Sequence, residues 1–115
     1  MSQSSPITVA CVQLAPVIDD AIESLARIDA GVRKAVALGA QIVVLPELAN
    51  CGYMFADIEE LRAAAEPLDG PYVAYLSATA SELGVVLVSG FAELGDDGTV
   101  YNSAVIVERA DAVTS

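Results

Sequence analysis

Two short runs, residues 7–14 (ITVACVQL) and 41–45 (QIVVL), are apolar on both alternating faces, and the stretch between them has a different period. A strand that is greasy on both sides belongs in the middle of a sheet, covered on two faces. From residue 19 to 38 the period becomes helical. Ile22, Leu25, Ile28, Val32 and Val36 recur at steps of three and four and form one apolar stripe. Asp19 and Asp20 stand where the helix dipole favours negative charge, Arg33 and Lys34 lie near the other end, and Gly39 is placed as a C-cap. Strand, long helix, strand within about 40 residues is a βαβ unit, which crosses over right-handed with its strands parallel.

The remaining chain continues the pattern. Asp57 is placed to N-cap a shorter helix reaching about residue 65, with Glu60 three residues on, as in a capping box. After a loop over 67–70, Pro71 suits the first turn of another helix with Val73, Leu76, Ala80 and Leu83 on one face and Gly84 closing it. Residues 85–89 (VVLVS) read as a third strand. Gly95-Asp96-Asp97-Gly98 is a turn joining extended runs over 90–94 and 99–107 into a hairpin. Residues 1–6 and 110–115 are expected to fray. The order is β-α-β-α-α-β-β, an α/β layer occupying residues 1–115 as one partial domain. Strands of this kind want cover on both faces, and one layer of helices covers only one. A second layer is therefore expected from further chain, from a partner, or from both.

Composition narrows the function classes. With 115 residues, 55% hydrophobic and 18% charged, and a mean hydropathy of +0.56, the chain is one domain with a real core and not a disordered tail. No run approaches the roughly 20 apolar residues of a membrane helix, and the opening residues lack a basic and then apolar secretory leader. Two cysteines, Cys11 and Cys51, are no disulfide framework, so a cytoplasmic setting is expected. Sixteen acids against five bases give a net charge of −11, which repels phosphate backbones and argues against nucleic acid as a partner.

Ligand chemistry in parallel sheets gathers at the carboxyl ends of strands, and Leu45-Pro46-Glu47-Leu48 stands there. A carboxylate after a buried strand is expected in a partly desolvated crevice, where it would suit general-base work; by position alone it could equally cap a loop or pair with an arginine. Cys51 is four residues on and could lie near it, but reads better as a small buried hydrophobe. Cys11 is expected buried and inert in the first strand, and Lys34 reads as a solvated helix residue. Tyr53 and Phe55 could line a substrate pocket or belong to the core. Asp57, Glu59 and Glu60 read as a helix start, and with no histidine in the chain no metal site is expected.

Several segments together resemble the nitrilase superfamily of carbon-nitrogen hydrolases. Ile7-Thr8-Val9-Ala10-Cys11-Val12-Gln13-Leu14 is similar to its first strand, and Gly39-Ala40-Gln41-Ile42-Val43-Val44-Leu45-Pro46-Glu47, with Gly52-Tyr53 after it, to its glutamate motif. Leu68-Asp69-Gly70-Pro71 resembles the loop before its third helix. Tyr101-Asn102-Ser103-Ala104 resembles the strand preceding its lysine region. The resemblance implies the amino-terminal part of a four-layer α-β-β-α sandwich that commonly dimerises. It implies hydrolysis of a small amide, carbamoyl compound or nitrile by a glutamate, a lysine and a cysteine, without cofactor. Glu47 matches the general base. Lys34 and the two cysteines do not match the family's lysine and cysteine motifs, so this chain is expected to be inactive alone. The rival readings are a non-catalytic interaction module associating through its uncovered sheet face, and an unrelated acidic binding domain.

Overall fold

The computed structural model describes residues 6–15, 20–51, 57–108 and 113–114. Its elements are β1 (Val9–Cys11), α1 (Ala21–Ala37), β2 (Ile42–Val44), α2 (Ile58–Ala64), α3 (Pro71–Leu83), β3 (Val86–Leu94), β4 (Val100–Val107) and β5 (Val113–Thr114). The sequence order holds, with one short strand added: within residues 110–115, expected to fray, Val113 and Thr114 pair with Val107 and Ile106.

The sheet runs β1-β2-β3-β4-β5. β1, β2 and β3 are parallel, and β4 and β5 return antiparallel. The expected βαβ unit is thus present. One expectation is corrected: β1 is an edge strand, and Val9 is 54% exposed and Cys11 also exposed. The reason is topological, since each later strand is added on the far side of β2.

α1 is capped by Asp20, whose Oδ1 accepts from Glu23 N at 2.9 Å. It ends in a Schellman closure: Ala40 N donates to Ala35 O at 3.1 Å and Gly39, at φ +100°, turns the chain. Its packed stripe keeps Leu25, Ile28, Val32 and Val36 of the expected one and adds Ser24 and Ala35, while Ile22 is 85% exposed. Small side chains let α1 sit close to the sheet, and Ile22 lies about 200° round the helix from Ser24. Asp57 caps α2 by accepting from Glu60 N at 2.9 Å, and α3 starts at Pro71 and closes at Gly84 as the sequence indicates.

Register sorts the sheet into two faces. Val43, Leu87, Phe91, Val105 and Val107 point to the helices and join Ile28, Val32, Val73 and Leu76 in one core. The opposite face carries Val9, Cys11, Asn102, Ala104 and Ile106, all exposed. α1 and α3 cover the first face, while on the second α2 packs only over the end formed by Ala92, Leu94 and Val100 and leaves the rest open. No helix among the described residues is long and apolar enough to cross a membrane.

Candidate active site

β2 stops at Pro46, which has no N–H to continue the ladder. Leu45 N still reaches Val88 O at 2.7 Å, and the chain then leaves β2 to run along the same edge of β3. Ala49 N donates to Gly90 O at 3.2 Å. Asn50 replaces a strand with its side chain: Oδ1 accepts from Ala92 N at 2.9 Å and Nδ2 donates to Ala92 O at 3.4 Å. Further on, Glu66 N donates to Ala92 O at 3.0 Å and Leu94 N to Glu66 O at 2.9 Å. A loop is thereby stitched to β3 almost as firmly as a strand.

Leu48 sits in this loop at φ +47°, a left-handed conformation unusual for a residue with a branched side chain. Alternation along β2 would aim residue 47 toward the core, as it does Val43 and Leu45. Instead the turn carries Glu47 across the open face of β3 at Gly90. A Cβ on Gly90 would stand 2.6 Å from Glu47 Cα and 3.1 Å from both Leu48 N and Pro46 O. Only a residue without a side chain admits the turn there. From the neighbouring strand, Asn102 Nδ2 donates to Glu47 Oε1 at 3.1 Å. Asn102 stands opposite Ala92 in the β3–β4 register, on the same face.

Glu47 is thus at the carboxyl end of a parallel strand, as the sequence indicates, but the expected desolvation is corrected: its side chain is exposed. On this face α2 covers only the end around Ala92, Leu94 and Val100, and Glu47 stands where water reaches it. Beneath, on the covered side, the Tyr72 hydroxyl and Ser89 Oγ lie 2.7 Å apart, and Ser89 Oγ donates to Gly90 O at 2.9 Å. Glu66 Oε1 accepts from Tyr72 N at 2.7 Å and so caps the start of α3. The floor of the site is rigid and fully hydrogen-bonded.

Cys51 is buried near this floor, and burial, with the Glu66 charge second, pushes its thiol up to about 11. A thiol so held stays protonated at neutral pH, which suits the structural reading and not a nucleophile. Cys11, expected buried, is exposed because β1 lies at the sheet edge. Lys34 is exposed in the last turn of α1. Glu59 pairs with Arg62 at 2.6 Å within α2. Tyr53 and Phe55, proposed from sequence as pocket residues, lie outside the described residues. A cavity of about 750 Å³ opens between residues 67–69, α3 and the β3–β4 turn, and Glu47 does not line it. Among the described residues, no group of three or more acidic, cysteine or histidine side chains converges as metal ligands.

Sequence reasoning picked out Glu47 and missed the residues around it. Gly90 was the available signal, since a glycine inside an apolar strand marks a close backbone approach. Asn50 carried none and Asn102 entered only within the Tyr101-Asn102-Ser103-Ala104 resemblance, because their partners are 42 and 55 residues away.

A half-covered sheet of this topology, holding a carboxylate where its second parallel strand ends, defines a class of α/β protein in which an acid is presented at the sheet mouth. Residues 8–114 match the family model of carbon-nitrogen hydrolases, and the chain belongs to that family, in which nitrilases are found. It is 37% identical over 102 residues to a nitrilase of Pyrococcus abyssi, covering 88% of this chain and 38% of that protein. It is 36% identical over 81 residues to an omega-amidase of Danio rerio, covering 70% of this chain and 28% of that one. Among solved structures, Saccharomyces cerevisiae Nit3, a member of branch 10 of the nitrilase superfamily, superposes with a TM-score of 0.75 at 27% identity, over 89% of this chain and 40% of that one. An N-terminal amidase with a Gln-Val peptide shares the fold at a TM-score of 0.77 and 22% identity, over 89% of this chain and 25% of that one. The chain spans less than two fifths of the length of the relatives it matches.

Proposed function

We propose that this chain supplies the general base, Glu47, to a hydrolase that cleaves a non-peptide carbon-nitrogen bond in a small amide, carbamoyl compound or nitrile. In an amide, a cysteine thiolate attacks the carbonyl carbon, Glu47 having taken the thiol proton. The tetrahedral oxyanion is stabilised by a lysine and backbone donors. It collapses to a thioester as the amine leaves with that proton. Glu47 then deprotonates water, which attacks the thioester and frees the acid and the thiol. The lysine and the cysteine are not among residues 1–115 on this reading. The substrate is a small molecule, and a homo-oligomer in a cytoplasmic setting fits the exposed apolar face and two cysteines that are not joined in a disulfide.

The observation that carries the reading is the turn over Gly90, which fixes the Glu47 backbone at the carboxyl end of the parallel strands. A chimera in which residues 8–114 replace the matching portion of the Pyrococcus abyssi nitrilase tests it. Glu47→Gln is expected to cut hydrolysis at least about 100-fold with the circular dichroism unchanged. A chimera equally active with and without that substitution refutes it.

A second reading has its own support. Val9 is 54% and Ile106 42% exposed on the open face, so the chain could serve as a non-catalytic module that associates through it. Stable complex formation by a chimera that hydrolyses nothing would favour this alternative.

A further inference from the structure

We propose that Gly90 and Asn102 are positioning residues that together set the Glu47 carboxylate, Gly90 by admitting the turn and Asn102 by orienting the carboxylate. The inference deepens the proposed function and rests on it for its catalytic meaning. Its geometry stands without it.

Three features act on the short segment around Glu47. From below, Gly90 presents bare backbone where a methyl would stand 2.6 Å from Glu47 Cα. The atoms in the way are backbone, which cannot swing aside as a side-chain tip does. From behind, Ala49 is bonded to Gly90 O, and Asn50 is clamped to both backbone groups of Ala92 with its side chain buried. Lifting the turn away from a Cβ would therefore break three hydrogen bonds on the β3 edge. Between the two lies Leu48 at φ +47°, a conformation that persists only where its surroundings enforce it.

These contacts fix the backbone, and Asn102 acts on the side chain. Its amide comes from β4, a strand locked to β3 by pairing from Leu87↔Val107 to Leu94↔Val100. Asn102 thus donates from a rigid element to one particular oxygen, Oε1, at 3.1 Å. In water the bond is weak; it strengthens once a second layer excludes solvent from this face.

Two measurements test the proposal. In the 115-residue chain, nuclear Overhauser contacts should connect the Asn102 amide protons to the Glu47 γ-protons. Gly90→Ala should abolish them and shift the Leu48 and Ala49 amides while the α1 amides stay in place. Asn102→Ala should leave the backbone unchanged and let the Glu47 rotamers average. Intact contacts in Gly90→Ala, or unaltered Glu47 rotamers in Asn102→Ala, overturn it. In the hydrolase chimera, each substitution should lower kcat per titrated active site about 10- to 100-fold, the rate equivalent of a lost hydrogen bond to a charged group, with KM within about twofold. A merely structural role would lower the amount of active protein and leave kcat per site alone, and that result also overturns it. If Glu47→Gln spares activity, the hydrolase reading fails by itself. If Glu47→Gln abolishes activity and the other two spare it, only the positioning fails.

Discussion

Gly90 shows how much one absent side chain decides. A β-branched residue there would suit the strand better by propensity, yet it would displace the turn that carries Glu47. Cys51 is a contrary case, a nucleophile type in the right neighbourhood held in the wrong state. Its thiol lies above the usual value, at about 11, because it is buried. The sign follows from proton counting. Between about 9 and 11 the unfolded chain has lost the proton that the folded chain keeps, so stability falls with rising pH across that window. The contribution is fully present below about 9. Two outcomes are expected. Cys11 should react with a thiol reagent at neutral pH while Cys51 is modified only on unfolding, as mass spectrometry of timed reactions would show. The chain alone should release no ammonia from small amides; release abolished by Cys51→Ala would make Cys51 the nucleophile after all.

At the scale of elements, local chemistry and packing contribute unequally. α2 fully buries none of its residues; Leu61 and Ala64 pack partly against Ala92, and the Asp57 cap, the Glu59–Arg62 pair and Arg62 Nε donating to Gly98 O at 2.9 Å add to that. Asp57→Ala is expected to cost about 1 kcal/mol, read as a lowered denaturation midpoint. α3 depends on its buried face, where Tyr72 and Phe91 meet with ring centroids 6.5 Å apart and Leu76 is fully buried. Leu76→Ala should cost about 2–5 kcal/mol by the same measurement. Between α1 and α3, Arg33 bridges Asp29 at 2.9 Å and Glu82 at 2.7 Å, and the Tyr75 hydroxyl donates to Asp29. These ion pairs are exposed and contribute little, so apolar packing holds the two helices together.

For the whole molecule the governing fact is the asymmetry of the sheet. One face lies under α1 and α3, and the other exposes Val9 and Ile106. Such a face favours association, which a net charge of −11 opposes at low salt. The chain should therefore self-associate more as salt screens the charge, and Ile106→Lys should raise the monomer fraction without lowering the melting temperature. Static light scattering across a salt series checks both. A monodisperse, cooperatively melting monomer at all salt concentrations would show that this face needs no cover.

Much of this was legible in advance because it is local. Helical and strand periods, the Asp20 and Asp57 caps, the Pro71 start and Gly84 stop, and the turn at Gly95–Gly98 are set by residues within a few positions of each other. The apolar character of both strand faces even announced that one helix layer would not suffice. Long-range placement was not legible. That β1 would be an edge strand, that α1 would pack through Ser24 and Ala35 and leave Ile22 in water, and that Glu47 would be exposed all depend on distant parts of the chain. The sequence by itself determined the elements and the residue worth watching at the end of β2. Only the tertiary structure decided which face that residue occupies, because its neighbours Gly90 and Asn102 are brought to it by sheet pairing, and no local preference records the pairing of residues so far apart.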